Sequence, residues 1–232
     1  MNSFIKLVYK PCATFLNKVG GFKRHLTIES EFPLWKGVSY LKYQVVNMVA
    51  AASLDQMLDL YSLAVGIPNI EYEPEQFPGA ILKIKEPKVS MLLFKNGKII
   101  CSGASNEKQI EQGIRKANKM IHDVQKDIKV KRNVEFEIVN FVATASLDMN
   151  LDLFDVAMNL PNVEYEPEQF PGAILRLDEP KLTFLLFKNG KMICAGAKKE
   201  THLRAGLKIV EAMVGKRKKS DKKNTTKKST KK

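Results

Sequence analysis

The sequence predicts an α+β fold in which two tandem copies of one unit each form an antiparallel sheet with helices on one face. The main observation is a repeat: residues 71–82 read EYEPEQFPGAIL, and residues 164–175 read the same twelve letters 93 positions later. A period this long excludes a solenoid, whose repeats span about 20–50 residues. Each copy also has the order strand, helix, several strands, long helix, which is typical of helices packed on an antiparallel sheet. Two joined copies of such a unit are expected to pack about a pseudo-two-fold axis.

Each copy begins with a strand and a short helix. The apolar residues 43–52 predict the strand of the first copy. Ser53 follows, with an aspartate two residues on, so a helix capped by Ser53 is expected over residues 54–65. The second copy repeats this pattern at residues 136–158, with Ser146 as the cap.

Three further strands and a long helix complete each copy. Pro87 marks a turn between two strands, because it lacks an amide donor and favours extended geometry in the residue before it. The Asn96-Gly97 pair is a strong hairpin signal and leads into the third strand. Apolar residues then recur at steps of four, three and four, which predicts an amphipathic helix. The strands are expected at 80–85, 89–94 and 98–102, and at 173–177, 182–187 and 191–195; the apolar helix positions are Ile110, Ile114, Ala117 and Ile121, and Leu203, Leu207, Val210 and Val214.

Alternation along the strands decides which side chains share a face of the sheet. One set is expected to form the core beneath the helices: Met91, Leu93, Ile99 and Cys101. The opposite face is too apolar to be left in water, so we expect a binding surface that includes Val49, Leu92, Phe94 and Ile100. Its polar residues are small or amides, namely Asn47, Ser102, Asn140 and Thr144. Such a face, without carboxylates, suits the floor of a DNA minor groove; a hydrophobic protein interface is the alternative.

The positive charge of the chain is concentrated at one end. The formal net charge is +13, and residues 216–232 hold ten Lys or Arg against one Asp. This segment cannot bury apolar surface and is expected to be disordered. A solubility tail and an arm that binds phosphates non-specifically are the two interpretations. We expect the chain to divide into a poorly determined extension, two repeats and a Lys-rich tail, at residues 1–39, 40–128, 129–215 and 216–232.

The residue types argue against an enzyme. Cys101 and Cys194 lie at equivalent positions and are expected to be core residues in a reducing compartment. None of the three histidines has a counterpart in the other copy, and no His, Cys and carboxylate cluster has metal-ligand spacing. No Gly-rich phosphate loop is present, and no apolar run approaches the ~20 residues that span a bilayer. We therefore expect no catalytic residue, metal, cofactor, small-molecule substrate or membrane partner.

Both copies carry one long motif. It reads Tyr-Glu-Pro-Glu-Gln-Phe-Pro-Gly, then a strand, Glu-Pro, an apolar strand ending in Phe, a Gly-Lys hairpin and Cys-x-Gly-Ala, over about residues 40–215. This doubled pattern resembles the TATA-box-binding protein family. The resemblance implies a pseudo-two-fold saddle, with a curved antiparallel sheet and helices on its convex face. It also implies a general transcription initiation factor that binds the minor groove of T·A-rich promoter boxes, kinks the DNA and nucleates the preinitiation complex.

The resemblance implies roles for individual residues. Two phenylalanine pairs are expected to intercalate partly at the two ends of the box: Phe77 with Phe94, and Phe170 with Phe187. The residues expected to contact the minor groove are Asn47, Val49, Leu92, Ile100, Ser102, Asn140, Val142, Thr144, Leu185 and Ile193. The cations expected to face phosphates are Lys83, Lys98, Arg176 and Lys191. The second stirrup, the loop at residues 166–169, is expected to bind transcription factor B through Glu166, Glu168 and Gln169.

The implied partners are double-stranded promoter DNA, transcription factor B and, indirectly, RNA polymerase. The first stirrup, residues 73–76, has the same acidic sequence as the second, and this symmetry resembles archaeal members of the family. The implied location is on the DNA of an archaeal cytoplasm or of a eukaryotic nucleus. Two alternatives are a protein-interaction module of the same fold and a DNA-repair accessory without promoter function.

Overall fold

The computed structural model describes residues 41–215, and each copy contributes five strands and two helices to this region. The predicted extension at 1–39 and the tail at 216–232 lie outside the described residues. The elements of the first copy are β1 (Tyr43–Ser53), α1 (Leu60–Gly66), β2 (Ile70–Glu71), β3 (Gly79–Ile84), β4 (Val89–Phe94), β5 (Lys98–Ala104) and α2 (Glu107–Val124). Those of the second copy are β6 (Phe136–Ser146), α3 (Leu153–Asn159), β7 (Val163–Glu164), β8 (Ala173–Leu177), β9 (Leu182–Leu186), β10 (Lys191–Ala197) and α4 (Glu200–Gly215).

The ten strands form one curved, open sheet in the order β2-β3-β4-β5-β1-β6-β10-β9-β8-β7. Equivalent strands of the two copies stand at mirrored places in this order, which is the pseudo-two-fold arrangement that the repeat predicts. The copies meet at the long antiparallel pair β1 and β6, where Asn47 pairs with Val142 and Val49 pairs with Asn140. The edge strands β2 and β7 have two residues each, and no prediction was made for them. Such short edges limit pairing with other chains.

The helices cover one face of the sheet and bury the core there. All four predicted apolar positions of α2 are at most 2% exposed, and so are those of α4. Met91, Leu93, Ile99 and Cys101 are fully buried on the same side, as the alternation predicts. Cys194 is also fully buried, and burial raises the pKa of both Cys101 and Cys194 to about 12. Both thiols are therefore protonated and unreactive at neutral pH.

The short helices begin six residues later than predicted. α1 starts after Asp59, whose carboxylate accepts hydrogen bonds from the backbone amides of Tyr61 and Ser62. The intervening loop is not helical because the amide of Leu54 donates to the carbonyl of Gly97, and that of Leu58 to the carbonyl of Lys95. The predicted cap, Ser53, instead accepts a hydrogen bond from the amide of Asp55 at 3.1 Å. The second copy repeats this correction, with Asp152 as the cap of α3 in place of Ser146.

One polar contact joins the first strand of the first copy to the last helix of the second. The hydroxyl of Tyr43 donates a hydrogen bond to Glu200, and the Arg204 guanidinium lies 5.8 Å from the centre of the Tyr43 ring. Burial and then the Glu200 bond raise the pKa of Tyr43 to about 12, from 10.0. The Tyr43 and Arg204 bonds lower the pKa of Glu200 below its ordinary value.

Tyr43→Phe is expected to lower the free energy of unfolding by about 1 kcal/mol at neutral pH, the usual net contribution of one hydrogen bond. Because the pKa of Tyr43 is raised in the folded protein, its hydrogen bond contributes fully to the free energy of unfolding below pH 10. This contribution is lost as pH rises toward about 12. The difference from the wild-type protein should therefore shrink over that interval. Urea unfolding of both proteins at pH 7 and pH 11 measures it, and Tyr61→Phe, at an exposed tyrosine, is the control. A constant difference at both pH values would contradict this assignment.

Candidate nucleic-acid interface

The face of the sheet opposite the helices carries a continuous apolar surface. In the first copy the register places Ile81, Leu92, Ile100 and Ala51 side by side across four strands. In the second it places Ile174, Leu185, Ile193 and Thr144 in the equivalent row. The apolar members of both rows are partly exposed. The structure thus brings together five predicted groove contacts, Leu92, Ile100, Thr144, Leu185 and Ile193. It adds Ile81 and Ile174, which alternation within β3 and β8 could have revealed.

The centre of this face lies where the two copies meet. Val49 and Val142 are only 8% and 4% exposed, yet neither belongs to the core cluster beneath the helices. They pair in register with Asn140 and Asn47, and Val142 also pairs with Ala195 of β10. Two valines and two asparagines therefore stand together at the pseudo-two-fold axis. Of the remaining predicted polar contacts, Ser102 pairs with Ser90 and Thr144 pairs with Ile193.

The two central asparagines are held in a defined orientation. The Oδ1 atom of Asn47 accepts a hydrogen bond from the amide of Gly103 at 2.8 Å, and Asn140 accepts the equivalent bond from Gly196 at 2.8 Å. Since Oδ1 accepts this bond, the Nδ2 group of each asparagine, a donor with two hydrogens, is left for another acceptor. Among residues 41–215 the Nδ2 groups of Asn47 and Asn140 make no hydrogen bond. The face therefore offers two central donors to hydrogen-bond acceptors of a ligand.

Glycine is required at both positions that orient the asparagines. The φ angles of Gly103 and Gly196 are +96° and +101°, a backbone conformation that other residues rarely adopt. Irregular pairing at these points lets the glycine amide turn toward the neighbouring strand: the β1–β5 register shifts between Met48 and Ala50. The sequence shows Gly103 and Gly196 only as part of the repeat, so their role in holding Asn47 and Asn140 was not predicted.

A pair of phenylalanine rings stands at each end of the free face. The ring centres of Phe77 and Phe94 are 5.9 Å apart at 63°, and those of Phe170 and Phe187 are 6.0 Å apart at 63°. The predicted partners thus do meet, and all four rings are partly exposed. Phe94 ends β4 and Phe187 directly follows β9, and these two strands are five strand steps apart in the sheet.

A glycine beneath each pair makes room for the rings. A Cβ atom on Gly79 would lie 2.7 Å from the ring of Phe77 and 3.2 Å from that of Phe94. Gly172 has the same two distances to Phe170 and Phe187. Any larger residue would push the rings apart, so these glycines belong to the site. Sequence reasoning missed them, although the Phe-Pro-Gly order recurs within the identical block.

The four predicted phosphate-facing cations fall into two classes. Lys83 and Arg176 form ion pairs with Glu71 and Glu164 of the edge strands, with all four side chains about half exposed. Lys98 and Lys191 are exposed at the starts of β5 and β10, and no ion pair holds them within the described part of the chain.

Carboxylates are present on the free face, contrary to the prediction that it has none. Register with Ile81 and Ile174 places Glu71 and Glu164 there. Glu137 also lies on it, because its neighbours on either side in β6 pack against the core. The prediction was wrong because it overlooked Glu137 and the edge strands, whose place in the sheet is a tertiary feature.

The two stirrups are ordered turns with exposed acidic side chains. In the second, the amides of Gln169 and Phe170 donate to the carbonyl of Glu166 at 3.0 and 2.9 Å, and the Gln169 side chain donates to the Glu166 carboxylate. In the first, two amides donate likewise to the carbonyl of Glu73. Glu166, Glu168 and Gln169 are all exposed, so they are accessible to a protein partner.

Within the described residues no group of His, Cys, Asp or Glu side chains is placed to hold a metal ion. None of the helices in that region is long and apolar enough to cross a membrane.

Comparison with known proteins identifies the family. The family model described as transcription factor TFIID, or TATA-binding protein, matches residues 42–124 and 135–216. The TATA-box-binding protein of Picrophilus torridus is 45% identical over 165 residues, which are 70% of this chain and 88% of that protein. That of Methanocaldococcus jannaschii is 41% identical over 167 residues, 72% of this chain and 90% of the relative. The solved structure of Methanococcus jannaschii TBP superposes with a TM-score of 0.68 at 39% identity, covering 75% of this chain and 99% of that one. Two matched repeats and two ring pairs on one curved sheet agree with these similarities, and the chain belongs to the TATA-binding protein family.

Proposed function

We propose that this protein is a general transcription initiation factor that binds the minor groove of T·A-rich promoter boxes and kinks the DNA. The observation that carries this proposal is a single apolar face with a phenylalanine pair at each end and two amide donors at its centre. T·A pairs present only acceptors in the minor groove, which the Nδ2 groups of Asn47 and Asn140 can satisfy. A G·C pair adds an amino donor there, which would oppose them. The family is one of transcription factors, so the protein is not an enzyme.

A ring pair at each end of the free face fits partial intercalation at two steps of one box. Unstacking costs on the order of a few kcal/mol per step, a value established for minor-groove proteins that include TATA-binding proteins. Contact between the apolar rows and the widened groove offsets this cost, and flexible pyrimidine–purine steps lower it. The protein thus selects T·A-rich DNA mainly because such DNA is more easily deformed.

The promoter complex is proposed to recruit transcription factor B through Glu166, Glu168 and Gln169 of the second stirrup, and through it RNA polymerase. These side chains are exposed on the loop before Phe170 and leave the free face to the DNA. The relatives quoted above are archaeal, so the proposed location is on the DNA of an archaeal cytoplasm.

A titration with a duplex labelled at both ends tests the function. The full-length protein should bind a T·A-box duplex more tightly than a G·C-substituted one and bring the two labels closer together. Equal affinity for both duplexes would favour a DNA-repair accessory, and absence of binding would favour a protein-interaction module.

Removal of the carboxylates that hold Lys83 and Arg176 is expected to strengthen DNA binding. Glu71→Gln with Glu164→Gln frees both cations and removes two negative charges from the edges of the face. Exposed ion pairs contribute only about 0.2–1 kcal/mol, so affinity should rise about 1.4-fold to fivefold per site at low salt. Filter binding at several salt concentrations measures the change. Glu111→Gln, which breaks the pair with Arg115 on α2, is the matched control. Unchanged or weaker binding would contradict a phosphate role for Lys83 and Arg176.

A further inference from the structure

A cleft of about 810 Å³ lies on the helix-covered side of the first copy, apart from the free face. Its walls are the middle of α2, the turn at Glu86 and Pro87 between β3 and β4, and the segment 130–132 that connects the two copies. The volume is within the range of about 300–1000 Å³ that is typical of small-molecule sites. The cleft can therefore hold a ligand while the opposite face of the sheet holds DNA.

The wall formed by the connecting segment is fixed by hydrogen bonds to its backbone. The side chain of Gln56 makes two of them with Lys129, donating to its carbonyl at 2.8 Å and accepting from its amide at 2.7 Å. From the other side, the Nδ2 group of Asn118 on α2 donates to the carbonyl of Lys131 at 2.7 Å. The cleft is thus a preformed feature of the fold.

Cations dominate the lining of this cleft. One carboxylate, that of Glu86, stands against five cations: Arg115, Lys116, Lys119, Lys131 and Arg132. Lys119 and Arg132 are exposed, and neither makes an ion pair among residues 41–215. A cleft lined by charges of one sign concentrates ions of the opposite sign. Guanidinium and ammonium groups are the usual protein partners of phosphate, so a phosphorylated ligand fits this lining.

Two uncharged features of the cleft suit a ligand larger than inorganic phosphate. Asn118 is 1% exposed, and its Oδ1 atom has no hydrogen-bond partner within the described chain. Buried acceptors without a partner are rare, and an amino or hydroxyl donor of a ligand would complete this one. Val130 and Pro87 add apolar surface, and Val130 is 46% exposed. A flat ring that carries an amino group matches both features.

The second copy does not reproduce the lining, although its long helix has the same apolar spacing. Asn118 and Lys119 correspond to Glu211 and Ala212 of α4, 93 positions later. The carboxylate of Glu211 would repel a phosphate, and Ala212 has no charge to attract one. Since both helices pack on the sheet, packing does not require the polar residues of α2, which leaves them available for binding.

We propose that this cleft binds a nucleoside polyphosphate. Lys119 and Arg132 contact its phosphates, while its base lies against Val130 and donates to Asn118. This class of ligand combines several negative charges, a flat ring and amino or hydroxyl donors, as the lining requires. Because the cleft and the free face lie on opposite sides of the sheet, the nucleotide and a DNA duplex bind together.

Calorimetric titration of the full-length protein with ATP, without divalent cations, tests the site. Lys119→Ala with Arg132→Ala is expected to lower the affinity for ATP at least tenfold. The matched control, Lys108→Ala with Lys126→Ala, removes two exposed cations outside the cleft and should change it less than twofold. Both variants keep residues 216–232, so any binding of ATP to the Lys-rich tail is the same in both. All four side chains are exposed, so the unfolding midpoints should stay unchanged.

Two further titrations of the wild-type protein define the ligand and the face. ATP should bind at least threefold more tightly than inorganic tripolyphosphate, because only ATP offers a base to Val130 and Asn118. Its affinity should be the same for the free protein and for protein saturated with a T·A duplex. No binding of ATP, equal losses in the two double variants, equal affinity for tripolyphosphate, or displacement of ATP by the duplex would each overturn the proposed site. Failure of the duplex to bind would instead overturn the promoter function, and the titrations of the free protein would still test the cleft.

Discussion

Replacement of Phe170 and Phe187 by alanine is expected to lower the affinity for a T·A-box duplex about a hundredfold and to abolish one of two bends. The two rings contact each other and stand partly exposed over Gly172, so their apolar area is available to a separated base step. Loss of that contact for both rings amounts to about 3 kcal/mol, which corresponds to about a hundredfold in affinity. Phe77→Ala with Phe94→Ala should have the same effect at the other end.

Energy transfer between dyes at the two duplex ends measures the bend, and titration of the same duplex measures affinity. None of the four rings belongs to the buried core, so the unfolding midpoint should change little. Phe154→Ala is the control, because it removes an exposed phenylalanine from α3, away from the free face. Normal bending by both double variants would show that the rings do not act as wedges.

Glu166→Arg with Glu168→Arg is expected to abolish recruitment of transcription factor B while DNA binding is retained. Two exposed carboxylates become cations, so the surface that the proposed partner would contact changes from negative to positive. The change of four charge units on one loop should lower the affinity for the factor by at least a hundredfold at low salt. Native gels with a T·A duplex, with and without the factor, measure both complexes.

The chain provides its own matched control in the first stirrup. Glu73→Arg with Glu75→Arg makes the same substitutions in the same twelve-residue sequence. If the second stirrup is the docking site, this variant should still form the ternary complex of protein, T·A duplex and transcription factor B. If the second-stirrup variant still forms the ternary complex, that loop is not the contact. If both variants lose it, both loops participate.

The sequence by itself determined the repeat, the class of fold and most strand positions. It succeeded there because these features depend on short-range patterns: alternation in β4 and β9, Asn-Gly at the hairpins, and apolar spacing in α2 and α4. Most members of the free face follow from the same alternation, whereas Glu71, Glu137 and Glu164 do not. The pairing of Phe77 with Phe94 was expected through family resemblance, because 17 residues of separation carry no contact information of their own.

Tertiary structure decided the features that depend on residues distant in sequence. α1 begins at Leu60 because amides of the preceding loop are taken by carbonyls of the β4–β5 hairpin about 40 residues later. Asn47 presents its donors because the Gly103 amide, 56 positions away, occupies its oxygen. The pairing of Lys83 with Glu71 and the contact of Phe154 with Tyr165 arise only when separate elements are brought together. Local patterns select a conformation for each segment, whereas the choice of hydrogen-bond and ring partners is made by the packing of segments against one another.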